Sequence, residues 1–195
     1  MVEQKDVFYY VTLMNENYAQ PDLRPGAEAG IIHGCYQFNS YIPKQDAGQS
    51  PKMLKKSGSS ITLMGSGAIL TEVIKAAQQL AQQGIEATVY SVTSWSELAR
   101  DGATCQQQAI SGAAATTPFI AQQLQGSTGP IVAATDYVRA VPESIRAFVP
   151  EGRRYLTLGT DGFGRSDTRA ALREFFSVDA QSIVKATLHM LKPSL

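Results

Sequence analysis

The sequence predicts an α/β fold with a mostly parallel sheet, and three features predict it. Beyond residue 59, short β-branched apolar runs alternate with stretches of helical period. In the clearest of those stretches, Leu70, Val73, Ile74, Ala77, Leu80 and Ala81 recur on one face, with Glu72, Lys75, Gln78, Gln79 and Gln82 on the other. Two apolar runs end in glycine-rich turns, Gly65-Ser66-Gly67 and Gly159 to Gly164, where a strand hands over to a helix. In such sheets function gathers at the carboxyl ends of the strands.

Taken in order, Val7 to Met14 is β-branched, aromatic and apolar and reads as a buried strand. Asn15 to Gly30 carries Pro21, Pro25 and Gly26 and reads as a loop. Ile31 to Phe38 is expected to form a short strand, and Asn39 to Ser59 a linker rich in Pro, Gly, Lys and Ser. Ser60 to Met64 is a strand, the periodic stretch after it a helix, and Gly84 its stop. Glu86 to Val92 is the next strand. Ser94 caps a helix running to Arg100, with Glu97 completing a capping box. Residues 101–117 are Ala-, Gln-, Gly-, Ser- and Thr-rich and are expected to be loop, with a short helix from Pro118 to Leu124. Ile131 to Thr135 is a strand, and Asp136 is the expected N-cap of a helix that Pro142 delays or kinks. Tyr155 to Leu158 is the last strand. Asp167 is the expected cap of a helix with Ala171, Leu172, Phe175 and Phe176 inward. A final helix carries Ile183, Val184, Thr187, Leu188 and Leu191 on one stripe, with His189 near its C-terminus.

Composition excludes several classes of function. The chain has 195 residues, 17 basic and 17 acidic, so it lacks the cationic footprint of a nucleic-acid or anionic-membrane binder. No apolar run approaches the roughly 20 residues that span a bilayer. No apolar h-region follows a basic start, and two cysteines are too few for a disulfide framework. A cytoplasmic protein is expected.

Chemistry-bearing residues are sparse. There are two histidines, His33 and His189. His33-Gly34-Cys35 places two soft ligands together, but a structural zinc needs four. Gly-x-Ser-x-Gly is absent, and with two histidines a nucleophilic triad is possible but unsupported. Gly65-Ser66-Gly67 suits a phosphate at a helix N-terminus, yet Leu70 stands where the dinucleotide fingerprint needs a small residue. A tight strand-to-helix turn is the competing reading. In the second loop, Asp161, Gly162, Phe163, Gly164, Arg165, Ser166 and Asp167 form a candidate domain-docking loop, because Phe and Arg are favoured at interfaces. The alternative is a plain turn with Phe163 tucked into the domain's own core.

The segment Leu158-Gly159-Thr160-Asp161-Gly162-Phe163-Gly164-Arg165-Ser166-Asp167-Thr168-Arg169 resembles a signature near the C-terminus of the homodimeric-type pyruvate dehydrogenase family. Further matches run in order: Asn15 to Tyr18 with Pro21, Gly65 to Leu70, Tyr90 to Ser94, Glu97 to Gly102 and Ala134 to Tyr137. The resemblance spans nearly the whole chain. It implies that residues 1–58 end the middle, pyrimidine-binding domain and its connection, and that residues 59–195 form a transketolase-type C-terminal domain. It further implies a three-layer α/β/α sandwich on a mostly parallel five-stranded sheet with one antiparallel edge strand.

The family enzymes decarboxylate pyruvate on thiamine diphosphate with Mg²⁺ and acetylate lipoyl groups. The resemblance places that chemistry upstream: this chain has no Asn after Asn39 to complete the magnesium motif, so it is expected to bind neither cofactor alone. The implied partners are the upstream domains of its own parent chain, the second subunit of a homodimer and a dihydrolipoyl transacetylase core. After Arg100-Asp101-Gly102 the family continues toward Arg-Trp-Asn and His-Pro, whereas this chain has Gln106-Gln107-Gln108-Ala109-Ile110. A paralogue acting on another short 2-oxo acid would carry the same scaffold. Outside the resemblance, a free-standing flavodoxin-like nucleotide-binding protein and a pure interaction domain are the competing readings.

Overall fold

Alternating side chains divide the strands between two cores. On Ser60–Ser66, Ile61 and Leu63 face one way and Met64 the other; on Ile131–Ala134, Val132 and Ala134 oppose Ile131 and Ala133. These two strands are buried on both faces, as the centre of a parallel sheet requires. The computed structural model describes residues 17–19, 21–43 and 59–192. Its strands are β1 (Cys35–Tyr41), β2 (Ser60–Ser66), β3 (Glu86–Val92), β4 (Ile131–Ala134) and β5 (Tyr155–Leu158), in the order β1-β3-β2-β4-β5. β3, β2, β4 and β5 run parallel, and β1 pairs antiparallel with β3 at the edge. The five-stranded sheet with one antiparallel edge is therefore as expected. The expected strand over Val7 to Met14 lies outside the described residues.

The helices are α1 (Glu28–Ile32), α2 (Ile69–Gln82), α3 (Trp95–Ile110), α4 (Phe119–Gln123), α5 (Ala140–Glu143), α6 (Arg169–Phe175) and α7 (Ala180–Met190). α2 and α7 cover one face through Val73, Ala76, Ala77, Leu80, Ile183 and Val184. Trp95 and Leu98 of α3 and Ile120 of α4 cover the other, around Tyr90 and Met64. This makes three layers. Among the described residues no helix is long and apolar enough to cross a membrane.

Several elements differ from the expectation, each for a physical reason. The segment from Ile31 opens with α1 rather than a strand, and Gly34, at φ +97°, turns the chain into β1. The strand then runs on to Tyr41, into what reads as linker.

α3 continues to Ile110, through residues expected to be loop. Gly102 lies in that stretch, and a Cβ there would come within 2.3 Å of the Phe148 ring. The glycine is a packing notch inside a helix, which Ala103 and Gln106 to Gln108, good helix formers, carry on. Ser94 caps α3 by accepting from the Glu97 N–H at 3.1 Å. The reciprocal half of the capping box is absent, because the Glu97 carboxylate pairs with Arg100 and the Ser94 N–H donates to the Gly34 carbonyl.

Asp136 caps no helix; α5 starts late, after Arg139, which leaves Pro142 in a first turn that needs no N–H from it. Thr168, not Asp167, caps α6, accepting from the Ala171 N–H, while Asp167 accepts from the Thr168 N–H at 2.6 Å. Phe175 and Leu188 are exposed; Phe176 packs inward as expected, and Met190 is a buried residue of α7 outside the expected stripe. Glu72, expected on the polar face of α2, is buried.

Replacing Gly102 by Ala forces its Cβ into the Phe148 ring and is expected to destabilise the domain by about 1–3 kcal/mol in urea unfolding. Phe148→Leu should recover part of that loss; a neutral Gly102→Ala would contradict the packing account.

Candidate functional site

The carboxyl edge of the sheet is formed by the turns that follow β2, β4 and β5. After β2, a Cβ on Gly65 would stand 2.9 Å from Val73 Cγ2 and 3.0 Å from Leu70 Cα, so the first glycine lets α2 lie directly on its own strand. Gly67 takes φ +53°, and Ser66 Oγ meets Thr135 Oγ1 at 2.8 Å. These contacts match the tight-turn reading of Gly65-Ser66-Gly67. Thr135 Oγ1 in turn accepts from the Tyr137 N–H at 3.2 Å, which fixes the start of the loop after β4.

That loop is clipped to the loop after β5. A Cβ on Gly159 would meet the Tyr137 carbonyl at 2.6 Å and the Arg139 nitrogen at 2.8 Å, so only glycine allows the approach. Thr160 N–H donates to the Tyr137 carbonyl at 2.9 Å, and Thr160 Oγ1 donates to the Asp136 carbonyl at 2.7 Å. Asp161 accepts from the Arg139 backbone N–H at 2.8 Å and from its guanidinium Nε. The Arg139 side-chain and backbone donors hold the Asp161 carboxyl below the usual aspartate range.

Beyond the clip, Gly162 at φ +94° turns the chain outward, and Phe163 is 95% exposed. Phe163 does not enter the domain's own core. Tyr137 and Val138, on the partner loop, are 55% and 46% exposed. Two loops joined by four hydrogen bonds thus hold three apolar side chains in solvent. The Arg165 guanidinium stacks 3.9 Å over the Phe175 ring. Sequence reasoning singled out residues 161–167 but missed Tyr137, Val138 and Arg139. The available signal was their own exposed-aromatic pattern after a strand end, read instead as the start of a helix.

Behind the second loop lies a cavity of about 430 Å³, between the α2 N-terminus and α6. Ile69, Leu172 and Phe176 give it apolar walls, and Arg165, Arg169 and Arg173 a cationic rim. Arg173 donates to the buried Glu72 at 3.2 Å and to the Tyr18 hydroxyl at 2.9 Å.

Among the described residues no group of three His, Cys, Asp or Glu side chains is placed to hold a metal ion. His33 packs 4.8 Å from the Phe119 ring, and burial pushes the Cys35 thiol far up, away from the reactive thiolate.

A family model described as a transketolase-like TK C-terminal domain matches residues 52–179. The chain is 43% identical over 192 residues to the pyruvate dehydrogenase E1 component of Cupriavidus necator. It is 42% identical over 189 residues to that of Escherichia coli K12, and 37% over 191 residues to that of Mycobacterium tuberculosis. These alignments cover 95–97% of this chain and 19–20% of the relatives, so the chain spans about a fifth of their length. Among solved structures, transketolase from Leishmania mexicana aligns with a TM-score of 0.49 at 18% identity, over 84% of this chain and 18% of that one.

Because the Asp161 carboxyl sits low, the clip is complete above the ordinary aspartate range and opens as pH falls through the depressed value. A carboxyl-detected NMR titration should show Asp161 titrating below an ordinary aspartate, and Arg139→Gln should move it back up. An unchanged titration in Arg139→Gln would show that the pair does not hold the loops.

Proposed function

This chain belongs to the transketolase-like TK C-terminal domain family, and from that premise we propose that it is the C-terminal domain of a cytoplasmic pyruvate dehydrogenase E1 component. The parent decarboxylates pyruvate with thiamine diphosphate and Mg²⁺ and passes the acetyl group to lipoyl groups on a dihydrolipoyl transacetylase core. The observation that carries this reading is identity of 37–44% sustained across almost the entire chain. In the division proposed, residues 59–195 are the C-terminal domain and residues 1–58 end the preceding domain and connect the two.

Within that enzyme the cofactor supplies electron-sink chemistry, and protein groups bind and orient it. This domain contributes rigidity and interface rather than acid–base groups. The clipped loops at the carboxyl edge carry that role: Phe163, Tyr137 and Val138 offer a preorganised apolar surface, and Arg165 a cation. The surface meets the upstream domains of the same chain or the second subunit of a homodimer. Holding the loops rigid before contact lowers the entropy lost on docking.

In the full-length parent, pyruvate-dependent acetylation of lipoyl groups is the expected activity, with 2-oxobutanoate a poorer substrate. Preference for 2-oxobutanoate would make the enzyme a paralogue with a different substrate. Phe163→Ser or Arg165→Ala in the full-length parent should weaken dimer assembly or activity by about tenfold, the loss of one interface anchor. The melting temperature of the isolated domain should stay unchanged. Unaltered assembly and activity in both variants would reduce the loop to a plain turn.

A further inference from the structure

The two clipped loops carry opposite charges that do not meet. Arg165 and Asp136 border the same cavity, yet among the described residues neither the guanidinium nor the carboxylate has a hydrogen-bond or ion-pair partner. The Arg165 guanidinium is held over the Phe175 ring instead, which fixes it and leaves its N–H donors available at its edge. Asp136 is fixed through its backbone, whose carbonyl accepts from Thr160 Oγ1, and its side chain is left over. Both residues are exposed. Asp167 is committed elsewhere, to the Thr168 N–H at the start of α6.

Each charge stands beside an apolar anchor. Tyr137 and Val138 follow Asp136, Phe163 lies two residues before Arg165, and all three are exposed. Such a face fits a second copy of itself. In a twofold contact residue i meets residue j of the partner and j meets i, so the face must hold its own complement. One unspent cation and one unspent anion around shared apolar residues meet that condition. An unrelated surface would have to supply an acid and a base at matching places, because a charge buried without its partner is costly. With 17 basic and 17 acidic residues, the chain has no net charge to repel its copy.

We propose that two copies of this chain meet carboxyl edge to carboxyl edge across a twofold axis, with Phe163, Tyr137 and Val138 at the centre and Arg165 of each copy on Asp136 of the other. The pairing rests on the docking role proposed for the two loops, and it assigns that surface to a second copy rather than to the upstream domains.

Sedimentation velocity of this chain tests the pairing. A monomer–dimer equilibrium with a Kd at or below about 100 μM is expected, the strength of a weak, small interface. Arg165→Asp and Asp136→Arg each set like charges opposite one another, and each should weaken self-association by about tenfold or more. Arg165→Gln and Asp136→Asn, which only remove a charge, should weaken it less. An equimolar mixture of Arg165→Asp with Asp136→Arg should dimerise again, because each copy then faces the charge opposite to its own at both contacts. A chain that stays monomeric at about 1 mM, a dimer indifferent to both charge reversals, or a mixture that does not recover would each overturn the proposal. A monomeric chain together with a full-length parent still weakened by Phe163→Ser would overturn the second copy alone and leave the docking role standing.

Discussion

The buried carboxylate of Glu72 sets the arrangement of one whole layer. It is 6% exposed on the inner side of α2, and it accepts from Lys75, from Arg173 of α6 and from the Ala180 N–H at the start of α7. A carboxylate taken out of water without partners is costly, and removing one partner of a buried pair costs about 3–5 kcal/mol. All three donors must therefore be in place together. That requirement fixes where α6 and the N-terminus of α7 sit relative to α2. Arg173 then extends the network to the Tyr18 hydroxyl, which ties the chain ahead of α1 to the same corner.

The carboxyl edge inherits this order. α6 is positioned by Arg173, so Phe175 is where Arg165 can stack on it, and the loop after β5 is held at its far end. At its near end the loop is held by the Asp161–Arg139 clip and by the notch at Gly159. Between two fixed ends, Phe163 stands in solvent on a short span. An exposed aromatic on a stiff loop loses little freedom on contact, which is what a docking surface requires. On the opposite end of the sheet, Arg153 plays a comparable structural part without any carboxylate: it donates to the carbonyls of Gly129, Ser127 and Thr128 and to Thr62 Oγ1. Partial burial among those neutral acceptors pulls its pKa down.

Departures from sequence expectation share a cause. Residues 101–117 read as loop from their composition; Gly102 shows its part in α3 only when Phe148, 46 positions later, is seen to cross the helix at that point. Glu72 reads as solvent-facing because its periodicity places it among Lys75 and Gln79; its partners Arg173 and Ala180 are about a hundred residues away. Arg139 has no local motif and acquires its role only when Asp161 is folded against it. Capping was legible where it is local, as at Ser94 and Gly84. It was misplaced by one residue at Thr168, where two adjacent side chains compete for the same turn.

The sequence by itself determined the α/β class, all four parallel strands, α2 and α7, and the family, because two- and three-and-a-half-residue periods and glycine turns are properties of short windows. It also marked residues 161–167 as unusual, from composition alone. Tertiary structure decided the rest: the length of α3, the burial of Glu72, the pairing of the two edge loops and the cavity ringed by Arg165, Arg169 and Arg173. Each of these depends on a contact between residues far apart in the chain, and such contacts exist only once the sheet order has brought β2, β4 and β5 side by side.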